Sequence, residues 1–417
     1  MRSEQIKEYL KKGQLTTPSY VLDMDELTAH VNTMKSIIKD GAGLCYAMKA
    51  NPFIVPVMAE LVDKIEVCSP GELSICQVYG IPGNKIIFSG VNKTRKDVEA
   101  ALDYGVAIIT VESNKHFRLI RAYCEEHHTT ANVLFRVTNG SQFGMDTESV
   151  ENILAQKDEY DYIQVKGIHY FSGTQKKRFE KLQEELDELD SFMNHIQETY
   201  GLSDLILEYG AGLHVPYFEG EDFDSLYQPI QKMVIAIEEK QRSYNVVLEL
   251  GRFFAFSCGI YLTRVEEVKY NKGAYYVLVD GGIHQLNYYG QNMAMRVPKM
   301  ELFAMNELTT DETLGSLCDA ESNTTQRVDK GCDISDCTIC GSLCTMADVL
   351  VRKWNGILPQ EDDVFAFYNA GSYSVTEAPS LFLSRKMPVI YAYTDEGGLQ
   401  VLRDGLEAYR LNLSDKI

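Results

Sequence analysis

Short apolar runs rich in β-branched residues alternate with longer amphipathic stretches through the first two-thirds of the chain. The runs are Leu44–Met48, Ile65–Ser69, Lys85–Ser89, Ala107–Val111, Asn132–Val137, Val165–Tyr170, Leu205–Tyr209 and Val246–Glu249. Seven helical patterns separate them, among them Phe53–Val62, Gly71–Tyr79 and the long charged stretch Lys176–Tyr200. Such alternation predicts parallel strands joined by helical crossovers. Eight strands is the number that closes a (β/α)8 barrel. An open doubly wound sheet is the competing arrangement. It is disfavoured because no dinucleotide-type glycine-rich turn follows the first strand.

Past Arg252 the pattern changes. Tyr261–Tyr270, Tyr275–Asp280, Asp363–Tyr368 and Pro388–Thr394 read as strands with no helical pattern between them. Between them Met300–Lys330, rich in Asp, Glu, Asn, Ser and Thr, reads as an acidic insertion or mobile loop. The opening run Ser19–Met24 is strand-like but precedes the first helical pattern, so it is expected to add a strand to the second region. The expected fold class is α/β: a TIM-like barrel over residues 25–255, with residues 1–24 and 256–417 forming a mostly antiparallel β-rich domain.

Composition narrows the function classes. A formal net charge of −20 argues against a nucleic-acid partner, which needs a basic surface. A local cluster of Arg and Lys would still admit an anionic ligand. No apolar run reaches the roughly 18 residues of a membrane span. The polar segment Met1–Gly13 lacks a signal-peptide core, so a cytoplasmic location is expected. Cys45, Cys68, Cys76, Cys124 and Cys258 lie singly in apolar segments and read as reduced thiols. Cys332, Cys337, Cys340 and Cys344 are clustered, and the first three match a plant-type iron–sulfur spacing. Against a metal, Cys337–Cys340 reads as a strand leading to Gly341, where alternation sends the two thiols to opposite faces. No metal is expected.

In a parallel barrel, chemistry gathers where strands end. Those ends supply Lys49, Ser69, Ser89, Glu112, Arg136, His169 to Thr174, Gly210 to Gly212, and Glu249 to Arg252. Lys49 ends a buried apolar run. It reads either as a side chain snorkelling to the rim or as an amine made nucleophilic by desolvation, as Schiff-base chemistry requires. Gly210-Ala211-Gly212 follows the seventh run, the position of the recurrent barrel phosphate site, and equally fits a tight turn. Glu249 and Arg252 read either as a structural ion pair or as partners of a heterocyclic nitrogen and a phosphate.

Tyr46-Ala47-Met48-Lys49-Ala50-Asn51 resembles the lysine motif of the fold-type III decarboxylases, the family of diaminopimelate, ornithine and arginine decarboxylases. The resemblance runs from about Thr17 to Tyr393. It includes Glu66-Val67-Cys68-Ser69, Phe143-Gly144-Met145, Gly167-Ile168-His169, Gly173-Thr174-Gln175, Glu249-Leu250-Gly251-Arg252, Asp280-Gly281-Gly282, Cys344 through Asp348, and Asn369-Ala370-Gly371-Ser372-Tyr373. It implies an alanine racemase-like fold, pyridoxal 5'-phosphate as cofactor, and α-decarboxylation of an amino acid. Lys49 would carry the cofactor and Glu249 would face its ring nitrogen. Gly210, Ala211, Gly212, Arg252 and Tyr373 would hold the phosphate, with Thr174 nearby. Glu66 and Arg136 would form the polar shell. Cys344 would enter from a partner subunit as proton donor, in a homodimer with two shared active sites. Asp280 and Asp348 would lie near the substrate and the subunit interface.

The departures from the family pattern bear on substrate. Phe171 stands where the family often stacks a histidine on the ring. Thr345 stands where diaminopimelate and ornithine decarboxylases place an acid for the substrate's distal amine. Leu343-Cys344-Thr345 and the run His169 to Gln175 are closer to a subgroup of secondary metabolism that acts on carrier-protein-tethered or substituted amino acids. His284, Tyr288, Tyr289 and Gln291 would line a larger or neutral pocket, with ordinary packing the equal reading for the two tyrosines. A racemase on the same fold and a non-catalytic regulatory homologue are the alternatives.

Overall fold

The computed structural model describes residues 1–240, 242–305 and 333–414. The chain divides into two compact units, Glu26–Pro216 with Asp222–Phe256, and Met1–Asp25 with Tyr217–Glu221 and Ser257–Ile417. Strand β1 (Ser19–Asp23) belongs to the second of these.

The first unit is a closed parallel barrel. Its strands are β2 (Gly43–Ala47), β3 (Lys64–Val67), β4 (Ile86–Phe88), β5 (Ile108–Val111), β6 (Ala131–Val137), β7 (Ile163–Phe171), β8 (Ile206–Gly210) and β9 (Asn245–Leu250). Each pairs in parallel with the next, and β9 closes on β2 with Cys45 opposite Glu249. All eight runs expected from the sequence are strands, with ends shifted by up to two residues. The crossovers begin where capping residues stop the strands. Ser69 accepts from the Glu72 backbone N–H at 3.1 Å, with Pro70 at the first helical position. Thr94 and Asp97 form a reciprocal capping box. Lys176 to Arg178 fall outside the long helix, which spans Phe179–Tyr200.

Cys45, Ile87, Ile108 and Leu134 pack together as one apolar cluster of the barrel, as layered barrel cores require. The strands also bury Glu66, Thr110, His169, Glu208 and Glu249. Buried polar groups are costly unless paired. Their concentration in one barrel marks where fold stability has been traded for chemistry.

The other unit is a nine-stranded, mostly antiparallel sheet. Its further strands are β10 (Gly259–Asn271), β11 (Ala274–Val279), β12 (Met300–Phe303), β13 (Asp333–Cys340), β14 (Val349–Ile357), β15 (Val364–Phe367), β16 (Val389–Thr394) and β17 (Gly398–Arg403). The order is β14-β13-β11-β10-β1-β16-β17, with β15 pairing β10 and β12. β1 runs antiparallel to β10 and parallel to β16, so the opening run is the strand between them. The expected insertion at Met300–Lys330 is corrected at its start. Met300–Phe303 pairs with β15, because Leu302 and Phe303 offer apolar side chains that its polar neighbours obscure in sequence. Residues 306–330 and Cys332 lie outside the described residues. Among the described residues, no helix is long and apolar enough to cross a membrane.

Candidate active site

Lys49 lies on a short 3-10 turn, Met48–Ala50, directly after β2. Its Nζ is 3.5 Å from Glu66 Oε2 on β3 and 3.5 Å from Glu249 Oε1 on β9. It also lies 5.3 Å from the centre of the Phe171 ring. Of the two sequence readings of Lys49, its exposure fits the side chain that reaches the rim. The side chain is 36% exposed, because the turn lifts it out of the strand, and two carboxylates face it.

Glu249 is the hub. Its Oε2 meets His169 Nε2 at 2.8 Å. Burial alone would raise its carboxyl, but Lys49 and the His169 hydrogen bond outweigh that and hold it below the ordinary range. Burial likewise works against a charged His169, and the bond to Glu249 prevails and raises it. Burial, followed by repulsion from Glu249, pushes the Glu66 carboxyl up. Ligating atoms of Glu66, His169 and Glu249 lie within 4.8 Å of one another, a spacing that suits a metal ion. The Lys49 amine already brings positive charge to both carboxylates, so the trio needs no ion to balance it.

Arg136, one residue before the end of β6, is held by Glu112, the residue directly after β5. The other Glu112 oxygen accepts the Gly144 N–H at 3.0 Å. The guanidinium stands 5.0 Å from the Phe143 ring and 5.9 Å from Phe171. Four residues of the polar shell therefore come from β3, β6, β9 and the position directly after β5.

The loops after β7 and β8 are zipped together. Ser172 N–H donates to Gly210 O at 2.9 Å and Lys176 N–H to Gly212 O at 2.9 Å. Gln175 both donates to Val215 O (3.1 Å) and accepts from its N–H (2.8 Å). Thr174 sits within this zipper. A Cβ on Gly210 would stand 2.6 Å from Phe171 Cδ2 and 3.0 Å from Glu249 Oε2. A Cβ on Gly212, at φ +59°, would stand 2.1 Å from Gly173 O. Only glycine fits at these two positions, and bare backbone of this kind can form an anion cradle. Gly212→Ala is expected to cost at least about 1–3 kcal/mol from the backbone conformation alone and to weaken cofactor retention about tenfold or more. Equilibrium dialysis with pyridoxal phosphate measures this. Unchanged retention would remove this crossing from the cradle. Arg252, buried, opens the helix Arg252–Ala255 directly after β9.

Other predicted residues lie in the second unit. Tyr373 holds φ +63°, a left-handed conformation unusual for a bulky residue. Its turn is pinned by Ala370 N–H to Gly259 O (2.8 Å) and by Ser372 to Tyr217 OH (2.8 Å). Asp348 accepts the N–H groups of Ile283 (2.8 Å) and Leu343 (2.7 Å), fastening the turn that carries exposed Cys344 and half-buried Thr345. Asp280 accepts from Thr263 and the Arg264 N–H, a turn-stabilising occupation. Tyr288 is buried and donates to Tyr368 O, so it is packing, while Tyr289 is half exposed. His284 is buried without a partner for either ring nitrogen among the described residues, and burial followed by Arg385 pulls it down to about 4. Cys337 is buried in β13 and Cys340 half buried at its end.

Sequence reasoning missed two buried residues. Lys93 lies in the loop beyond β4, its Nζ donating to Gly90 O, and burial pulls it down to about 8 against the pull of Glu112. Reading only the strand end stopped four residues short of it. Glu208 lies inside β8 and so escaped a search of strand ends; an acid within an apolar barrel run was the available signal.

A lysine amine at the end of a barrel strand, faced by a buried carboxylate that a histidine fixes, is an arrangement suited to Schiff-base chemistry. Residues 24–256 match the model of the pyridoxal-dependent decarboxylase family, pyridoxal binding domain. The chain belongs to that family. It is an amino-acid decarboxylase, and its cofactor is pyridoxal 5'-phosphate. Among its relatives is an L-glutamyl-[BtrI acyl-carrier protein] decarboxylase of Niallia circulans, 27% identical over 89% of this chain and 88% of the relative. A diaminopimelate decarboxylase of Methanocaldococcus jannaschii is 24% identical over 87% of this chain and 83% of the relative. A crystal structure of diaminopimelate decarboxylase from M. jannaschii with L-lysine has TM-score 0.82 at 22% identity, covering 99% of this chain and 94% of that one.

Proposed function

We propose that the enzyme removes the α-carboxylate of an amino-acid derivative that carries no free distal ammonium, presented by a carrier protein or bearing a neutral substituent. The carrying observation is the Lys49 amine poised 3.5 Å from both Glu66 and Glu249, with Glu249 backed by His169. The residues fit the cofactor: Lys49 would hold its aldehyde carbon, Glu249 its ring nitrogen, Phe171 one ring face, and Gly210, Ala211, Gly212, Thr174 and Arg252 its phosphate. The family resemblance adds Tyr373 to the phosphate and brings Cys344 from a partner subunit of a homodimer.

When bound, the cofactor supplies the electron sink for the pair left behind as carbon dioxide departs. The chain's own residues do the rest. Glu249, ionised and fastened by His169, would keep a proton on the ring nitrogen. Phe171 would present an apolar plane that neither titrates nor hydrogen-bonds, and its ring would exclude water from one face. Arg136, braced by Glu112, would hold the polar shell in place. Cys344 would return a proton to the α-carbon.

Thr345 supports the substrate reading, since a hydroxyl gives a distal ammonium no opposing charge. The named substrate of the Niallia circulans relative, a glutamyl group on a carrier protein, points the same way. The test is a decarboxylation screen by mass spectrometry over free amino acids, N-acyl and amide derivatives and carrier-linked forms. Carrier-linked or neutral derivatives are expected to exceed diaminopimelate and ornithine at least tenfold in kcat/KM. Preference for either diamine would overturn this reading.

A further inference from the structure

Glu208 on β8 is fully buried. In the β7–β8 ladder it is paired with His169. Residues at paired positions of neighbouring strands share a face, so both project into the barrel. Facing Glu208 there are His169 from β7, Glu249 from β9, Glu66 from β3 and Cys45 from β2. Neither Glu208 oxygen has a hydrogen-bond partner among the described residues, the weak Cys45 thiol aside. The Nδ1 of His169 is buried and also has none, while Nε2 meets Glu249 at 2.8 Å.

An orphaned imidazole nitrogen and an orphaned carboxyl therefore stand side by side. Each such group is costly while unsatisfied, so a side-chain rotation that joins them is favoured. The charge balance decides the form of the union. Lys49 faces Glu249 and Glu66, of which burial pushes Glu66 up, so a protonated Glu208 and a neutral His169 leave the ionised Glu249 matched by Lys49. Burial raises the Glu208 carboxyl; His169 opposes this, and Glu249 and Glu66 add to it.

We propose that Glu208 is a positioning residue that donates its carboxyl proton to His169 Nδ1 and so fixes the tautomer in which Nε2–H donates to Glu249. The chain then reads Glu208 O–H to Nδ1, and Nε2–H to the Glu249 carboxylate. Glu249 is thereby held in one orientation and in its ionised form. This rests on the reading of Glu249 as the acid opposite the cofactor nitrogen, but the hydrogen-bond chain itself exists without the cofactor.

The experiment is ¹⁵N NMR of histidine-labelled full-length protein, with and without pyridoxal phosphate, with His169 assigned by the signals lost in His169→Asn. Wild-type His169 is expected to carry its proton on Nε2, with Nδ1 showing an acceptor shift. Glu208→Gln is expected to preserve this, since the amide N–H donates as the acid does. Glu208→Leu is expected to lose it, with about tenfold lower kcat/KM, the lower end of the effect of losing an outer partner. On raising pH, the wild-type signal should change as Glu208 ionises, and the Glu208→Gln signal should not. Glu208→Gln keeps the donor and removes a buried ionisable group, so its melting temperature should equal or exceed wild type, whereas Glu208→Leu leaves His169 Nδ1 unpaired and should melt no higher than Glu208→Gln. A proton on Nδ1 in wild type, or Gln and Leu behaving alike, would overturn the proposal. Either result in cofactor-free protein would do so without touching the assignment of Glu249 to the ring nitrogen.

Discussion

Lys49→Ala is expected to yield a folded protein with no visible absorbance from bound cofactor and turnover lower by about a thousandfold or more. Stability should change little, since the side chain is 36% exposed and makes its charge contacts at 3.5 Å rather than in a tight buried pair. The local electrostatics should change more. Without the amine, Glu66 and Glu249 face each other with one fewer cation, and two neighbouring carboxylates do not both stay ionised cheaply. Glu66, already pushed up by burial and by Glu249, is the one expected to hold a proton. Borohydride reduction of the wild type should attach the cofactor to the peptide containing Lys49, and the variant should give no such adduct. A variant retaining both absorbance and turnover would remove Lys49 from the chemistry.

Glu249→Gln is expected to keep the cofactor but lower kcat by about 10²–10³. Losing one preorganised electrostatic partner of the reacting group typically costs about 2.7–4 kcal/mol of barrier, and each 1.36 kcal/mol is tenfold in rate. Glu249 lies 3.5 Å from the part-exposed Lys49 amine and 2.8 Å from buried His169, and the amide keeps its shape without its charge. The loss should fall on kcat more than on KM, because in its proposed role the carboxylate would act on the electron sink rather than on substrate binding. Absorbance titration and steady-state kinetics at matched melting temperature separate the two. A kcat within threefold of wild type would dissociate Glu249 from the ring nitrogen.

Much of this was legible beforehand. Apolar run lengths and their spacing announced every barrel strand, since periodicity is a local property of the chain. Lys49, Glu249 and the Gly-Ala-Gly turn stood out because a parallel barrel places strand ends on one rim. The second unit was less legible. β12 hides among acidic neighbours, and β13, β14 and β17 carry mixed faces whose pairing is decided by distant partners.

By itself, then, the sequence determined the element types, the parallel barrel and the chemistry on its rim, because burial patterns and turn residues act within a few positions. The tertiary structure decided which of those residues meet. Lys49 and Glu249 are two hundred positions apart and come together only because β9 closes on β2 with Cys45 opposite Glu249. The same closure set His169 between Glu249 and Glu208. Strand register is fixed by the whole barrel closing at once, and no local segment carries that information.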